Sequence, residues 1–234
     1  MRSDHAFLIT ENDQYFGIAT ILDLLEEITQ QQINNAKHAN PLTLLPGSVY
    51  INQYIDQLIL AERKFCVGYF DLDNFKPYND VYGYSAGDDI IKAVADVLRQ
   101  QITSDIGYIG HIGGDDFIVV FTHSNWLEQC QAILTSFKQL VHNYYKSEDF
   151  AAGGLFSEDR NGQKRFFPLL SLSVGLVDDQ ISSKCHSYVD VADLASEAKK
   201  QAKKLGGNSY FINRRQNLTP NLKPDQISQM ATTA

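Results

Sequence analysis

The apolar run Phe65-Cys66-Val67-Gly68-Tyr69-Phe70 stops abruptly on Asp71-Leu72-Asp73. Six apolar residues bounded by charge are too few for a core helix and read as a strand covered on both faces. Such a strand needs a layer above and a layer below it, and the flanking sequence supplies them. Ile51, Ile55, Leu58 and Ile59 predict an amphipathic helix over 48–62, and Ile90, Ile91, Val94, Val97 and Leu98 another from about 86 to 101. Strands are expected at 107–112 and 117–121, joined by Gly113-Gly114-Asp115-Asp116, which reads as a hairpin because glycine readily supplies positive φ. A helix over 127–145, a strand over 169–177, a helix over 191–205 and a strand over 209–212 follow. Helices and strands alternate around at least one antiparallel hairpin, so the expected class is a mixed α/β layer fold.

Ahead of this lies a segment of different character. Residues 6–9 and 15–19 read as two short strands around the turn Glu11-Asn12-Asp13, and Ile21, Leu22, Leu25 and Ile28 start a helix. Asn40-Pro41 ends that helix, because the residue before proline avoids the helical region. The division expected is therefore an N-terminal segment over 1–39, a domain over 40–213, and a polar, disordered tail over 214–234. Residues 147–165 form a polar excursion with Asp159-Arg160-Asn161-Gly162 as a hairpin tip.

Charge narrows the partners. Twenty Lys and Arg face 28 Asp and Glu, a net charge of −8, which opposes electrostatic retention on nucleic acid or an anionic membrane. No apolar run approaches the roughly 20 residues of a membrane span, and Met1-Arg2-Ser3-Asp4 opens no secretory signal. The three cysteines, Cys66, Cys130 and Cys185, are odd in number and widely spaced. They read as reduced core thiols of a cytoplasmic chain.

The chemistry is expected where two acidic clusters meet. If the strand ending on Asp71 neighbours the hairpin, Asp71 and Asp115 converge at one end of the sheet. Converging carboxylates call for a cation, and oxygen ligands of this kind suit Mg²⁺. The bland alternative reads Asp71 and Asp73 as caps and Asp115-Asp116 as an acidic hairpin tip. A turn, however, needs one Asp and not four with two glycines.

Gly113-Gly114-Asp115-Asp116-Phe117 resembles the signature of the GGDEF family, the diguanylate cyclases. Asn40-Pro41-Leu42-Thr43-Leu44-Leu45-Pro46 is similar to the family's entry motif. Asp71-Leu72-Asp73-Asn74-Phe75-Lys76, Asn79-Asp80, Gly83 and Gly87-Asp88 follow its central register without a gap. Ser171-Leu172-Ser173-Val174-Gly175 and Ala202-Lys203-Lys204-Leu205-Gly206-Gly207-Asn208 resemble its last two motifs. The resemblance spans 40–213 and implies a palm-like mixed sheet flanked by helices, as in nucleotidyl cyclases and polymerase palms. It implies condensation of two GTP into cyclic di-GMP with release of two pyrophosphates, by two chains facing each other. By the same resemblance Asp71, the carbonyl of Leu72 and Asp115 hold Mg²⁺ or Mn²⁺, and Asp71, Asp115 and Asp116 are catalytic. Gly113 and Gly114 admit the substrate's ribose and α-phosphate, and the backbone from Asp73 through Asn74 to Phe75 cradles phosphate. Lys76 and Lys203 meet the outer phosphates, and Asn79 and Asp88 read guanine. Without that register, Lys199, Lys200, Lys203 and Lys204 are a solvated helix face, and His111 is a strand residue.

Four departures stand out. Asp116 replaces a common Glu, Gly207 an arginine, and Asn40 and Leu44 the Asp and Gly of the entry motif. The intact metal and guanine positions favour an active cyclase. The rival reading is a catalytically degenerate GTP sensor for an attached phosphodiesterase or other partner. Residues 6–28 resemble the end of a CBS-type regulatory module, which implies a regulatory or phosphodiesterase domain upstream.

Overall fold

The computed structural model describes residues 6–158 and 161–214. In chain order the elements are β1 (Ala6–Glu11), β2 (Gln14–Thr20), α1 (Ile21–His38), α2 (Ser48–Leu60), β3 (Cys66–Asp73), α3 (Phe75–Tyr82) and α4 (Tyr84–Gln101). There follow β4 (Gly107–Gly113), β5 (Asp116–Phe121), α5 (Trp126–Leu140), α6 (Ser147–Ala152), β6 (Gly154–Glu158) and β7 (Lys164–Pro168). The last elements are β8 (Ser171–Val177), α7 (Asp179–Ser182), α8 (Tyr188–Leu205) and β9 (Ser209–Asn213).

Five strands make the main sheet, in the order β4-β5-β3-β8-β9. All neighbours are antiparallel except β8 and β9, whose parallel pairing requires the α8 crossover. The apolar run β3 is the central strand, and strand alternation divides it between two cores. Cys66, Phe70 and Leu72 pack with Ile90, Val94, Leu98, Ile133 and Phe137, from α4 and α5, on one face. Val67 packs with Ile51, Ile55, Val191 and Ala195, from α2 and α8, on the other. Burying each such side chain contributes about 1.5–3 kcal/mol, so β3 is held from both faces up to the carboxylates at its end.

One close approach matters for the site. A Cβ on Gly175 would lie 2.3 Å from the Lys199 backbone nitrogen and 2.4 Å from the Ala195 carbonyl oxygen. The bare Cα of Gly175 therefore lets α8 lie directly on β8, and this fixes where the lysines of α8 project.

Several boundaries differ from the sequence expectation. The helix expected over 127–145 stops at Leu140 and tightens into a 3₁₀ turn over Val141–Tyr144. The excursion over 147–165 carries the expected hairpin, as the two-stranded β6-β7 ribbon, but α6 precedes it where no helix was expected. A tyrosine cluster anchors it: Tyr78 and Tyr82 stack at 4.8 Å, and Tyr145 meets both edge-on. The tail beyond Arg214, and Asp159 and Arg160 of the expected hairpin tip, lie outside the described residues.

The N-terminal segment follows the expected strand-turn-strand-helix order. Asn12 and Asp13 both take positive φ in the two-residue turn, the geometry that suits a twisted hairpin. Thr20 and Asp23 then close a capping box on α1. Phe7, Leu8, Phe16 and Ile18 of the hairpin and Leu22, Leu25 and Ile28 of α1 are exposed.

Candidate active site

The sheet register brings the acidic clusters together. Asp71 pairs with Asp116 across the β3-β5 ladder and with Ser173 on β8, and Asp115 sits in the turn that closes Gly113 against Asp116. Gly114 takes φ +57° at the first central position of that turn, and a Cβ on Gly113 or Gly114 would meet nothing within 4 Å. The turn is bare backbone opening onto free space beside the carboxylates.

Each carboxylate has a distinct environment. Asp71 is buried, with Lys199 Nζ 3.1 Å from its Oδ2 and the Lys203 ammonium against its Oδ1. Asp116 also binds Lys199. Burial opposes the charge on Lys199, but the Asp116 hydrogen bond and the Asp71 charge outweigh it and raise the pKa. Asp115 contacts no cation among the described residues. Burial first, and the Asp71 charge second, push its carboxyl above the usual range. Asp73 is occupied otherwise: Ser171 Oγ donates to it at 2.8 Å and Ser173 Oγ at 2.7 Å, so the S-x-S strand braces the end of β3.

The donor set fits a divalent cation in a limited way. Among the described residues no three His, Cys, Asp or Glu side chains form a ready cage. Two carboxylates are nevertheless what Mg²⁺ needs when water and phosphate oxygens complete its shell. A cation between Asp71 and Asp115 would relieve the repulsion between the two carboxylates.

Asn79 and Lys76 lie on α3, Asp88 on α4 and Lys203 on α8. Asn79, on α3, packs on the backbone of α4: a Cβ on Gly87 would lie 1.9 Å from Asn79 Oδ1. That oxygen is buried and accepts no hydrogen bond, and Asp88, next to Gly87, is exposed. Lys203 meanwhile lines a cavity of about 720 Å³ with Asp73, Asn74, Lys138, Gly206 and Gly207. Asn74 precedes α3 with φ +62°. Phe75 opens α3 and is half-buried against the main core, and Leu72 is buried in that same core. Lys76 is exposed and lines a separate groove with Asp80, Phe156 and Lys164.

Sequence reasoning missed two residues. Lys199 was indistinguishable from its neighbours on a basic helix face, and Gly175 was the available signal that α8 presses on the sheet there. His111, read as an ordinary strand residue, is buried between Thr43 Oγ1 at 3.0 Å and the Gly114 carbonyl at 2.9 Å.

The family model for the diguanylate cyclase GGDEF domain matches residues 37–153. The chain belongs to the GGDEF family. A relative named Probable diguanylate cyclase DgcI, of Escherichia coli K12, is 30% identical over 204 residues, covering 87% of this chain and 38% of that protein. The bifunctional diguanylate cyclase/cyclic di-GMP phosphodiesterase MucR of Pseudomonas aeruginosa is 35% identical over 100 residues, covering 41% of this chain and 14% of that one. This GGDEF chain thus spans well under half of these relatives. The coiled coil and GGDEF domain of DgcB from Caulobacter crescentus, solved in complex with c-di-GMP, superposes with a TM-score of 0.56 at 19% identity. That match covers 82% of this chain and 93% of DgcB. The five-stranded mixed sheet with its flanking helices is therefore the palm-like α/β fold of GGDEF domains.

Proposed function

We propose that the chain, with residues 40–213 as its catalytic unit, is a diguanylate cyclase that joins two GTP into cyclic di-GMP. The observation that carries this reading is the meeting of Asp71 and Asp115 at an open diglycine turn, and the unsatisfied Asn79 oxygen on α3 supports it. Asp71, Asp115 and the Leu72 carbonyl would hold Mg²⁺ or Mn²⁺, which when bound neutralises the triphosphate and lowers the pKa of the attacking 3′-hydroxyl.

The chain's own groups do the rest. Asn79 Oδ1 accepts from the guanine 2-amino group, which removes the cost of leaving a buried acceptor unpaired. Asp88 accepts from N1–H, a donor that adenine lacks. Gly113 and Gly114 let the ribose and α-phosphate approach the backbone. The start of α3, from Asp73 through Asn74 to Phe75, offers N–H groups to phosphate. Lys203 leaves Asp71 for the phosphate tail, along the cavity it already lines. Lys76 would reach the tail only by turning from its own groove.

Catalysis is assigned to a homodimer, since the product is twofold symmetric and one chain carries one set of carboxylates. The exposed Leu22, Leu25 and Ile28 of α1 offer a contact for it. MucR couples a cyclase to a phosphodiesterase by name, which supports an upstream regulatory domain here, with β1, β2 and α1 as the CBS-like end of one. No described helix is long and apolar enough to cross a membrane, and a cytoplasmic site of action follows from the substrate. The degenerate-sensor reading is favoured by Gly207, where no side chain supplies a charge. Base selectivity tests the substrate assignment: Asp88→Ala should lower discrimination between GTP and ATP at least tenfold, about 1.4 kcal/mol. Unchanged selectivity would move the guanine site elsewhere.

A further inference from the structure

Three carboxylates and two ammonium groups meet where β3 and β5 end, and the two lysines are held differently. Lys203 keeps a side chain 43% exposed and, among the described residues, touches one carboxylate, Asp71. Lys199 is only 19% exposed and touches both partners of one ladder pair, Asp71 at 3.1 Å and Asp116. Its backbone lies directly on Gly175, which seats the ammonium between the two carboxylates. Lys203 can rotate toward a phosphate. Lys199 is a fixed charge.

That fixed charge decides how much cation the site still needs. Asp116 and the Oδ2 side of Asp71 are compensated from within the chain, whereas Asp115 touches no ammonium among the described residues. A divalent ion placed between Asp71 and Asp115 relieves the one of the three carboxylates that no ammonium contacts among the described residues. A second one against Asp116 would sit beside an ammonium and be repelled by it. We propose that Lys199 is a built-in cation on the Asp71–Asp116 side of the site, so that this chain takes one divalent ion per nucleotide, between Asp71 and Asp115. The inference rests on the nucleotide-binding reading above. It makes Lys199 a residue that sets metal number, where an all-carboxylate site would take two ions.

The probe is Mn²⁺, counted by electron paramagnetic resonance on the full chain. The chain is saturated with a GTP analogue whose methylene bridge between the α and β phosphorus atoms blocks pyrophosphate release. One Mn²⁺ per bound analogue is expected for the wild type and for Lys199→Arg. Two are expected for Lys199→Met, which keeps the length of the side chain without its charge, and Lys199→Gln serves if the methionine variant does not fold. Two ions in the wild type overturn the inference and leave the nucleotide reading standing. One ion in both uncharged variants removes Lys199 from the account. Failure of the wild type to bind the analogue overturns the nucleotide reading and this inference together.

Discussion

His111 Nε2 lies 2.9 Å from the carbonyl oxygen of Gly114, across the turn that carries Asp115. A carbonyl only accepts, so the proton sits on Nε2, and Nδ1 accepts from the Thr43 hydroxyl at 3.0 Å. The ring stacks on Phe117 at 4.2 Å. One neutral imidazole thus ties the entry loop to the signature turn.

Replacing His111 with Phe keeps the stacking and leaves the Gly114 carbonyl and the Thr43 hydroxyl without this partner. The expected cost is about 1–3 kcal/mol in urea unfolding. Burial holds the His111 pKa below its ordinary value. The unfolded chain therefore binds the proton more readily, and the contribution of His111 to stability is lost as pH falls below about 6.5. His111→Phe should flatten that part of the stability curve. A variant with the wild-type slope would mean that His111 does not titrate this way.

Leu44 takes φ +58° in the entry loop, where its backbone N–H donates to the Asn40 carbonyl at 2.8 Å. A left-handed conformation costs a residue with a Cβ about 1–2 kcal/mol, and a 75% exposed side chain returns little by burial. Glycine relieves the strain but loses about 0.5–1 kcal/mol of unfolded-chain entropy. Leu44→Gly should therefore raise stability by up to about 1 kcal/mol, or about 2–4 °C in the thermal midpoint. A lower midpoint would show that the leucine side chain contributes contacts of its own.

The sequence carried the path of the sheet because its signals are local. The apolar run at β3, the diglycine turn and the helical spacing of α4 each report their own backbone. Their convergence followed once β3 and β5 were neighbours. Lys199 was hidden because its role depends on the rotation of α8 against β8, which the close approach at Gly175 sets and no periodicity in α8 reveals. The β6-β7 hairpin was legible in its turn residues, but the packing of the 147–168 segment was hidden for another reason. Its anchors come from two separate stretches of chain, Tyr78 and Tyr82 on α3 and Tyr145 after the 3₁₀ turn, and a polar composition conceals that packing.

The proposed homodimer, with the exposed apolar side of α1 as its contact, predicts a rate that depends on association. Leu22→Glu with Leu25→Glu replaces two exposed side chains and should leave the unfolding midpoint of the domain within about 0.5 kcal/mol of the original. In dilute solution the wild-type rate per chain should rise with protein concentration. The double variant should need at least about tenfold more protein for the same rate. A rate per chain independent of concentration, from a verified monomer, would remove the dimer from the mechanism.

The most direct measurement is incubation of the pure chain with GTP and Mg²⁺ or Mn²⁺, followed by chromatography for cyclic di-GMP and assay of pyrophosphate. The account predicts two pyrophosphates per cyclic di-GMP. It also predicts a loss of at least about 100-fold in Asp71→Asn and in Asp115→Asn, since each removes charge from the metal site, worth several kcal/mol in the transition state. GTP that binds and is recovered unchanged after hours with either metal would contradict it, and would leave the chain as a nucleotide sensor.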